Sequence, residues 1–262
     1  RACQGFEHIV AIEGGEAVDA VHIALSHVAG VHAARYHHER SRLAQFFGGG
    51  DVAADASGHG AALALSRRVA EDVAELGCGT GAFTNELARM GYNMIGIDNS
   101  EDMLAVASSA DGQDYNSEEG NNRIIYTLQN MTEFELPYEA DAVVSVCDSM
   151  NYLSQDGALD ECLRASYQAL RSRGVILFDM KKEEFYREEL ADNTFADSME
   201  DCAYIWNNYY DADSMINEYE LSVFIEKDDG SYNRCNEYHV QRAYATGQVE
   251  AALKKAGFVN VQ

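Results

Sequence analysis

From residue 73 onwards the apolar positions of this chain fall into short blocks of alternating period. Val73, Ala74 and Leu76 make a short strand, after which Phe83, Leu87 and Met90 recur four and three apart, the spacing of one helix face. Residues 94–97 read as a second strand. Met103, Leu104 and Ala107 give the next helix an apolar face, with Ser100 as its N-cap and Glu101 and Asp102 in its first turn. Residues 111–122 are polar and read as a surface loop, and residues 123–128 as a third strand. Residues 142–147 (AVVSVC) have the apolar, β-branched texture of a strand buried on both faces. Leu159, Leu163, Ser166, Tyr167 and Leu170 mark an amphipathic helix that Gly174 ends, and residues 175–178 form a fifth strand.

Beyond residue 180 the texture changes. Residues 181–190 are charged and read as a solvated helix. Residues 204–210 (YIWNNYY) are aromatic, and Tyr219, Leu221, Val223 and Ile225 alternate with polar neighbours. Asp229-Gly230 is a hairpin signal. Tyr238, Val240, Arg242 and Tyr244 share one face of the following strand, and Glu237, His239 and Gln241 the other. His239 and Arg242 therefore face one pocket only if that strand is bulged. The pattern predicts an antiparallel insertion of about three strands. A last helix starts at Thr246, with Glu250 and Lys254 as a supporting pair and Gly257 as its C′ residue, and residues 258–261 begin a sixth strand.

The candidate chemistry lies between the first two strands. Gly77, Gly79 and Gly81 form a turn with little side-chain bulk, so a ligand can approach the backbone there. The following helix aims free N–H groups at that turn. Asp98 ends the second strand 21 residues after Gly77, close to the spacing of about 20 at which an acid meets ribose hydroxyls in a nucleotide-binding βαβ unit. The stretch ELGCGTG, the acid in GIDNS, and the segments LQNMTEF and DAVVSVCDSMNYL together resemble the motifs of the class I S-adenosylmethionine-dependent methyltransferases. The likeness is to the bacterial small-molecule branch with a β-rich insertion, and it covers about residues 73–262. The glycine turn also fits the looser pattern of NAD enzymes. Glu75 before the first glycine, Asn99 after Asp98, and the pair Asn130-Met131 favour the methyltransferases.

The resemblance implies a Rossmann-like, doubly wound, mostly parallel α/β sheet carrying an antiparallel β insertion, with S-adenosyl-L-methionine as cofactor. It implies that Glu75 meets the methionine amino end and that the backbone of Gly77, Cys78, Gly79 and Gly81 approaches the methionine and ribose. Asp98 takes the ribose hydroxyls, and Asn99, Met103, Asn130 and Met131 surround the adenosine, with the Asn130 amide oxygen accepting from the adenine amino group. Cys78 and Cys147 lie beside the cofactor and fill space. Chemistry in open parallel sheets sits at the carboxyl ends of strands. Asp148, Asn151 and Tyr152 are therefore candidates to face the transferred methyl; Asp148 serves equally as a cap of the next turn. Trp206, Tyr209, His239, Arg242 and Tyr244 are candidates to line an acceptor pocket, and Asp148 or His239 to act as general base. The family adds a seventh, antiparallel strand between the fifth and sixth, and none is expected in this sequence.

Four segments follow: an atypical Ala/Gly/His-rich segment at 1–68, a cofactor-binding core at 69–180, the insertion at 181–245, and a return to the core at 246–262. The first segment holds seven of the eight histidines and no lysine, as if foreign to the core. Residues 17–34 read as helical and 48–60 as loop. His22, His27 and His32 recur five apart, which does not stack ligands on one helix face, so no metal is expected. The chain opens at Arg1, so a native start upstream is expected.

A formal net charge of −25 repels phosphate backbones and argues against nucleic acid as substrate. No apolar run is long enough for a transmembrane helix. Six cysteines without C-x-x-C spacing read as reduced, in the cytoplasm. The sequence thus leads to a methyltransferase acting on a small molecule, as a monomer or homodimer, away from membranes. The alternatives are a non-catalytic cofactor-binding protein, a truncated inactive methyltransferase, and an NAD(P)-dependent oxidoreductase.

Overall fold

The computed structural model describes residues 9–13, 70–110, 123–198, 202–227 and 229–261. The expected helix at 17–34, the loops at 48–60 and 111–122 and the histidines of the first segment lie outside them. The described residues divide into two compact units, one reaching Met150 and including Gln155–Met180 and the chain from Thr246, the other made of Asn151–Ser154 and Lys181–Ala245.

The first unit is built on a six-stranded sheet. Its strands are β1 (Ile9–Glu13), β2 (Asp72–Leu76), β3 (Asn93–Asp98), β4 (Ile124–Leu128), β5 (Ala140–Ser145) and β6 (Leu170–Asp179), in the order β1-β6-β5-β2-β3-β4. Strands β2 to β6 are parallel. Parallel neighbours need long crossovers, supplied by α1 (Ala82–Arg89) between β2 and β3, α2 (Glu101–Ala110) between β3 and β4, and α3 (Ala158–Ala169) between β5 and β6. Val73, Leu76, Met94, Ile97, Val143, Val144, Ile176 and Phe178 are all buried, as strands covered on both faces require. The chain leaves β2 towards β3 and β4 on one side, while β5 and β6 lie on the other. The carboxyl end of β2 is therefore the switch point at which such sheets bind ligands.

Several local expectations need correction. The antiparallel strand thought to be lacking is supplied by Ile9–Glu13, which pairs with β6 from Ile9 opposite Asp179 to Glu13 opposite Val175. Among the described residues, 258–261 form no strand of the sheet; only Val259 sits at a single β-bridge position. Gly257, at φ 111°, instead closes α4 (Thr246–Ala256) with a C-terminal cap in which the Phe258 N–H returns to the Leu253 carbonyl at 3.1 Å. Phe258 then packs edge-on against Tyr167 of α3. Met90 is exposed rather than on the inner face of α1, because the helix stops at Arg89. Leu170 belongs to β6 and not to α3, so Gly174 lies within a strand. Ser100 does cap α2, its hydroxyl accepting the Met103 N–H at 3.3 Å.

The second unit is an antiparallel sheet of four strands, where about three were expected: β7 (Thr194–Ser198), β8 (Cys202–Asp211), β9 (Ile216–Glu226) and β10 (Tyr232–Arg242). Tyr219, Leu221, Val223 and Ile225 alternate into its buried face. The register of β10 on β9 runs unbroken from Tyr232 to Arg242, with no bulge, so His239 and Arg242 lie on opposite faces. The stretch expected to be a solvated helix is indeed helical, but it widens to a π-helix over Phe185–Leu190, in which the Ala191 N–H reaches back to the Tyr186 carbonyl. Phe185, Tyr186 and Leu190 are buried there, so only its remaining charged residues are solvated.

Candidate functional site: a glycine turn facing a buried acid

Gly77, Gly79 and Gly81 all have positive φ (72°, 53° and 75°), and each would strain a side chain. The N–H groups of Gly77 and Cys78 both point to the Ile97 carbonyl, at 2.8 and 3.0 Å, which folds the turn over the end of β3. Asp98 completes this fold. One carboxylate oxygen accepts the Gly79 N–H at 2.8 Å, and the other accepts the Ser100 N–H at 2.9 Å. The acid is buried yet keeps lone pairs for further donors, as recognition of a ribose diol needs.

The three glycines differ in what their bareness serves. A Cβ at Gly77 would lie 2.7 Å from Ser149 Oγ, and Met131 Cε is 3.6 Å away. A Cβ at Gly81 would instead run into the Tyr126 hydroxyl and Ala107, so this glycine makes room for packing. Gly96 of β3 admits the same Tyr126 ring. Tyr126 thus shapes the turn from β4, a role with no motif to announce it.

Glu75 is buried and accepts the Thr84 hydroxyl of α1. Burial pushes its carboxyl up to about 8; the Thr84 bond opposes that shift and the nearby Asp98 adds to it. Burial, then Glu75 and Asp98, push the Cys78 thiol far above its ordinary range, so Cys78 fills space beside Gly96 as a neutral thiol. Met103 is buried in the face of α2, and Asn99 is exposed. The Asn130 amide oxygen accepts both the N–H and the hydroxyl of Thr132 at 3.0 Å. Those two donors engage the oxygen expected to accept from adenine.

At the end of β5, Cys147 and Asp148 both have positive φ, and both of their N–H groups are held by Asp179. Asp148 is buried. Neither Ser149 nor Asp179 stood out in the sequence as a site residue, because their partners are distant along the chain.

The second unit gathers other candidates and separates some. Asn151 is fully buried. Its side chain donates to the carbonyls of Lys181 (3.2 Å) and Arg242 (2.9 Å) and accepts the Lys181 N–H (2.8 Å), so it clasps these two segments together. The Tyr244 hydroxyl donates to the Leu153 carbonyl. Rings from β7 to β10 form a ladder: Phe195 on Trp206, Trp206 on Tyr219, and Tyr219 stacked on His239 at 4.5 Å. The indole N–H of Trp206 is buried with no hydrogen-bond partner among the described residues. Tyr209 and Arg242 fall on the opposite face of the sheet from Trp206 and His239.

Both ring nitrogens of His239 are engaged, Nδ1 with the Tyr152 hydroxyl at 3.1 Å and Nε2 with Glu237 at 3.1 Å. Tyr152 also meets the Tyr219 hydroxyl at 2.9 Å. A hydrogen on Nε2 would donate to Glu237 and leave Nδ1 to accept from Tyr152. His239 therefore reaches a proton only through Tyr152, not directly. Among the described residues no group of His, Cys, Asp or Glu could hold a metal ion, and no helix is long and apolar enough to cross a membrane.

The chain is similar to known proteins. Residues 73–174 match the family model described as a methyltransferase domain. A protein of Geobacillus sp. (strain WCH70), whose curated name is that of an inferred methyltransferase, is 34% identical over 73% of this chain and 75% of its own length. The fold is shared with an S-adenosylmethionine-dependent methyltransferase from Clostridium acetobutylicum ATCC 824, with a TM-score of 0.70 at 23% identity over 83% of this chain and 86% of that one. It is shared too with CalS10 of Micromonospora echinaspora, an amino pentose methyltransferase solved with S-adenosylmethionine bound, with a TM-score of 0.63 at 19% identity over 87% and 91% of the two chains. Glycine turn, strand-end acid and sequence kinship agree: the chain belongs to the class I S-adenosylmethionine-dependent methyltransferases.

Proposed function

We propose that this chain transfers a methyl group from S-adenosylmethionine to a small-molecule acceptor. The observation that carries the reading is Asp98, held between the N–H groups of Gly79 and Ser100 at the switch point of the sheet. Asp98 takes the ribose hydroxyls, and Glu75 receives the methionine ammonium. The turn at Gly77 and Gly79 lines the methionine and ribose, with Gly81 and Cys78 packing behind it. Asn99, Met103, Asn130 and Met131 border the adenosine, and Cys147 borders the methionine half.

The cofactor supplies a methyl already bonded to a sulfonium leaving group. The chain's task is to align and desolvate the acceptor. An acceptor that arrives protonated gives up its proton through Tyr152 to His239, whose imidazolium Glu237 would stabilise. Asp148 is the other candidate base. Trp206, Arg242 and Tyr244 are the further candidates for contact with the acceptor. The small-molecule reading draws on CalS10, named for an amino pentose, and on the net charge of −25, which disfavours a polyanionic acceptor. A monomer or homodimer working in the cytoplasm fits this reading.

The test is incubation of the chain with methyl-labelled S-adenosylmethionine and a bacterial extract. Label is expected in a small molecule that is separated by chromatography from the unreacted cofactor and that appears only when the chain is added. Label confined to nucleic acid or protein would contradict the acceptor class.

A further inference from the structure

Cys147 and Asp148 are consecutive residues in the left-handed region, at φ 59° and 53°. Such a pair is sterically disfavoured outside glycine and persists only where its surroundings enforce it. One side chain does so. Asp179, buried at the end of β6, accepts the Cys147 N–H with Oδ2 at 3.0 Å and the Asp148 N–H with Oδ1 at 2.7 Å. The Cys147–Asp148 peptide bond is trans, so the Cys147 carbonyl points opposite to the Asp148 N–H, away from Asp179.

The bend also has a defined place along the carboxyl edge of the sheet. Ser149, the next residue, lies so close to Gly77 that a Cβ there would clash with it. Asp98 ends β3, and Asn130-Met131 follow β4, so the adenosine candidates lie on one side of the glycine turn. The bend follows β5, on the other side. An extended nucleoside–amino acid ligand with its ribose at Asp98 must direct its amino acid half towards β5.

We propose that Asp179 is a positioning residue: it fixes the Cys147–Asp148 backbone against the amino acid half of the cofactor and so sets affinity for that half and not for the nucleoside. This rests on the S-adenosylmethionine reading above. Asn in its place keeps the shape but accepts hydrogen bonds with one oxygen only, so one of the two tethers is lost.

The test is calorimetric titration of the full chain with two probes, S-adenosylhomocysteine and 5′-methylthioadenosine, which lacks the amino acid. Asp179→Asn is expected to weaken S-adenosylhomocysteine about ten-fold or more, the scale of a lost charge-assisted bond, and to leave methylthioadenosine nearly unchanged. A second variant leaves Asp179 in place: Cys147→Val, β-branched at positive φ, is expected to repeat the selective loss. Equal weakening of both probes, or of neither, in folded variants overturns the assignment while the cofactor reading stands. A wild-type chain that binds neither probe overturns both.

Discussion

The carboxylate of Asp98 and the N–H of Gly79, 19 residues apart in sequence, meet at 2.8 Å. This bond ties the glycine turn to the end of β3, so that turn and acid form one surface before any ligand arrives. A charge-assisted bond of this kind, left with a buried unpaired N–H, is worth about 1.5–3 kcal/mol. Asp98→Ala should lower unfolding free energy in denaturant by about that amount, and Asp98→Asn by less.

Glu75 makes stability depend on pH in a direction opposite to most carboxylates. Its folded value of about 8 lies above its ordinary 4.5, so between the two the folded state binds more protons than the unfolded state. Its contribution is fully present below the unfolded value and is lost as pH rises through about 8. The ligand-free chain should therefore lose thermal midpoint over this window, and Glu75→Gln should flatten that part of the profile. Thermal melts of both proteins across the window check this. A profile identical in the two proteins would argue against a buried neutral Glu75.

The hydrogen bonds around His239 fix its tautomer. Nitrogen-15 spectra should show the hydrogen on Nε2, facing Glu237, and Glu237→Gln should weaken that preference. A dominant Nδ1–H form in the wild type would break the direction of transfer from Tyr152 to His239.

Away from the site, Arg171 clasps three strands. It pairs with Asp72 of β2 and with Asp141 of β5 at 2.7 Å, and donates to the Glu139 carbonyl at 3.1 Å. Its side chain is 39% exposed, so solvent screens the pairs. Arg171→Ala should cost only about 1 kcal/mol, with cofactor binding unaffected, as denaturant titration and calorimetry would show.

The legible parts of this chain were those written in local pattern. The blocks at β2, β3, β5 and β6 are apolar because parallel strands are covered on both faces, and the glycines before Asp98 advertise a turn at fixed spacing. Ile9–Glu13 was not legible, since its place beside β6 is settled by pairing across more than 160 residues rather than by its own composition. The same reason hid Asp179, whose partners lie 31 and 32 residues back, and Tyr126, whose ring is admitted by glycines on two other elements. In the insertion, alternation gave the two faces of β10 but not which one is buried. It was the face of His239 and Gln241, and that decision turned His239 from an open base into a hydrogen-bonded one.

The measurement that tests the account most directly is calorimetric titration of the wild type and of Asp98→Ala with S-adenosylhomocysteine, with folding of both checked by circular dichroism. The account predicts saturable one-site binding by the wild type and its loss in Asp98→Ala. A folded wild type that does not bind, or an Asp98→Ala variant that binds equally well, would contradict it.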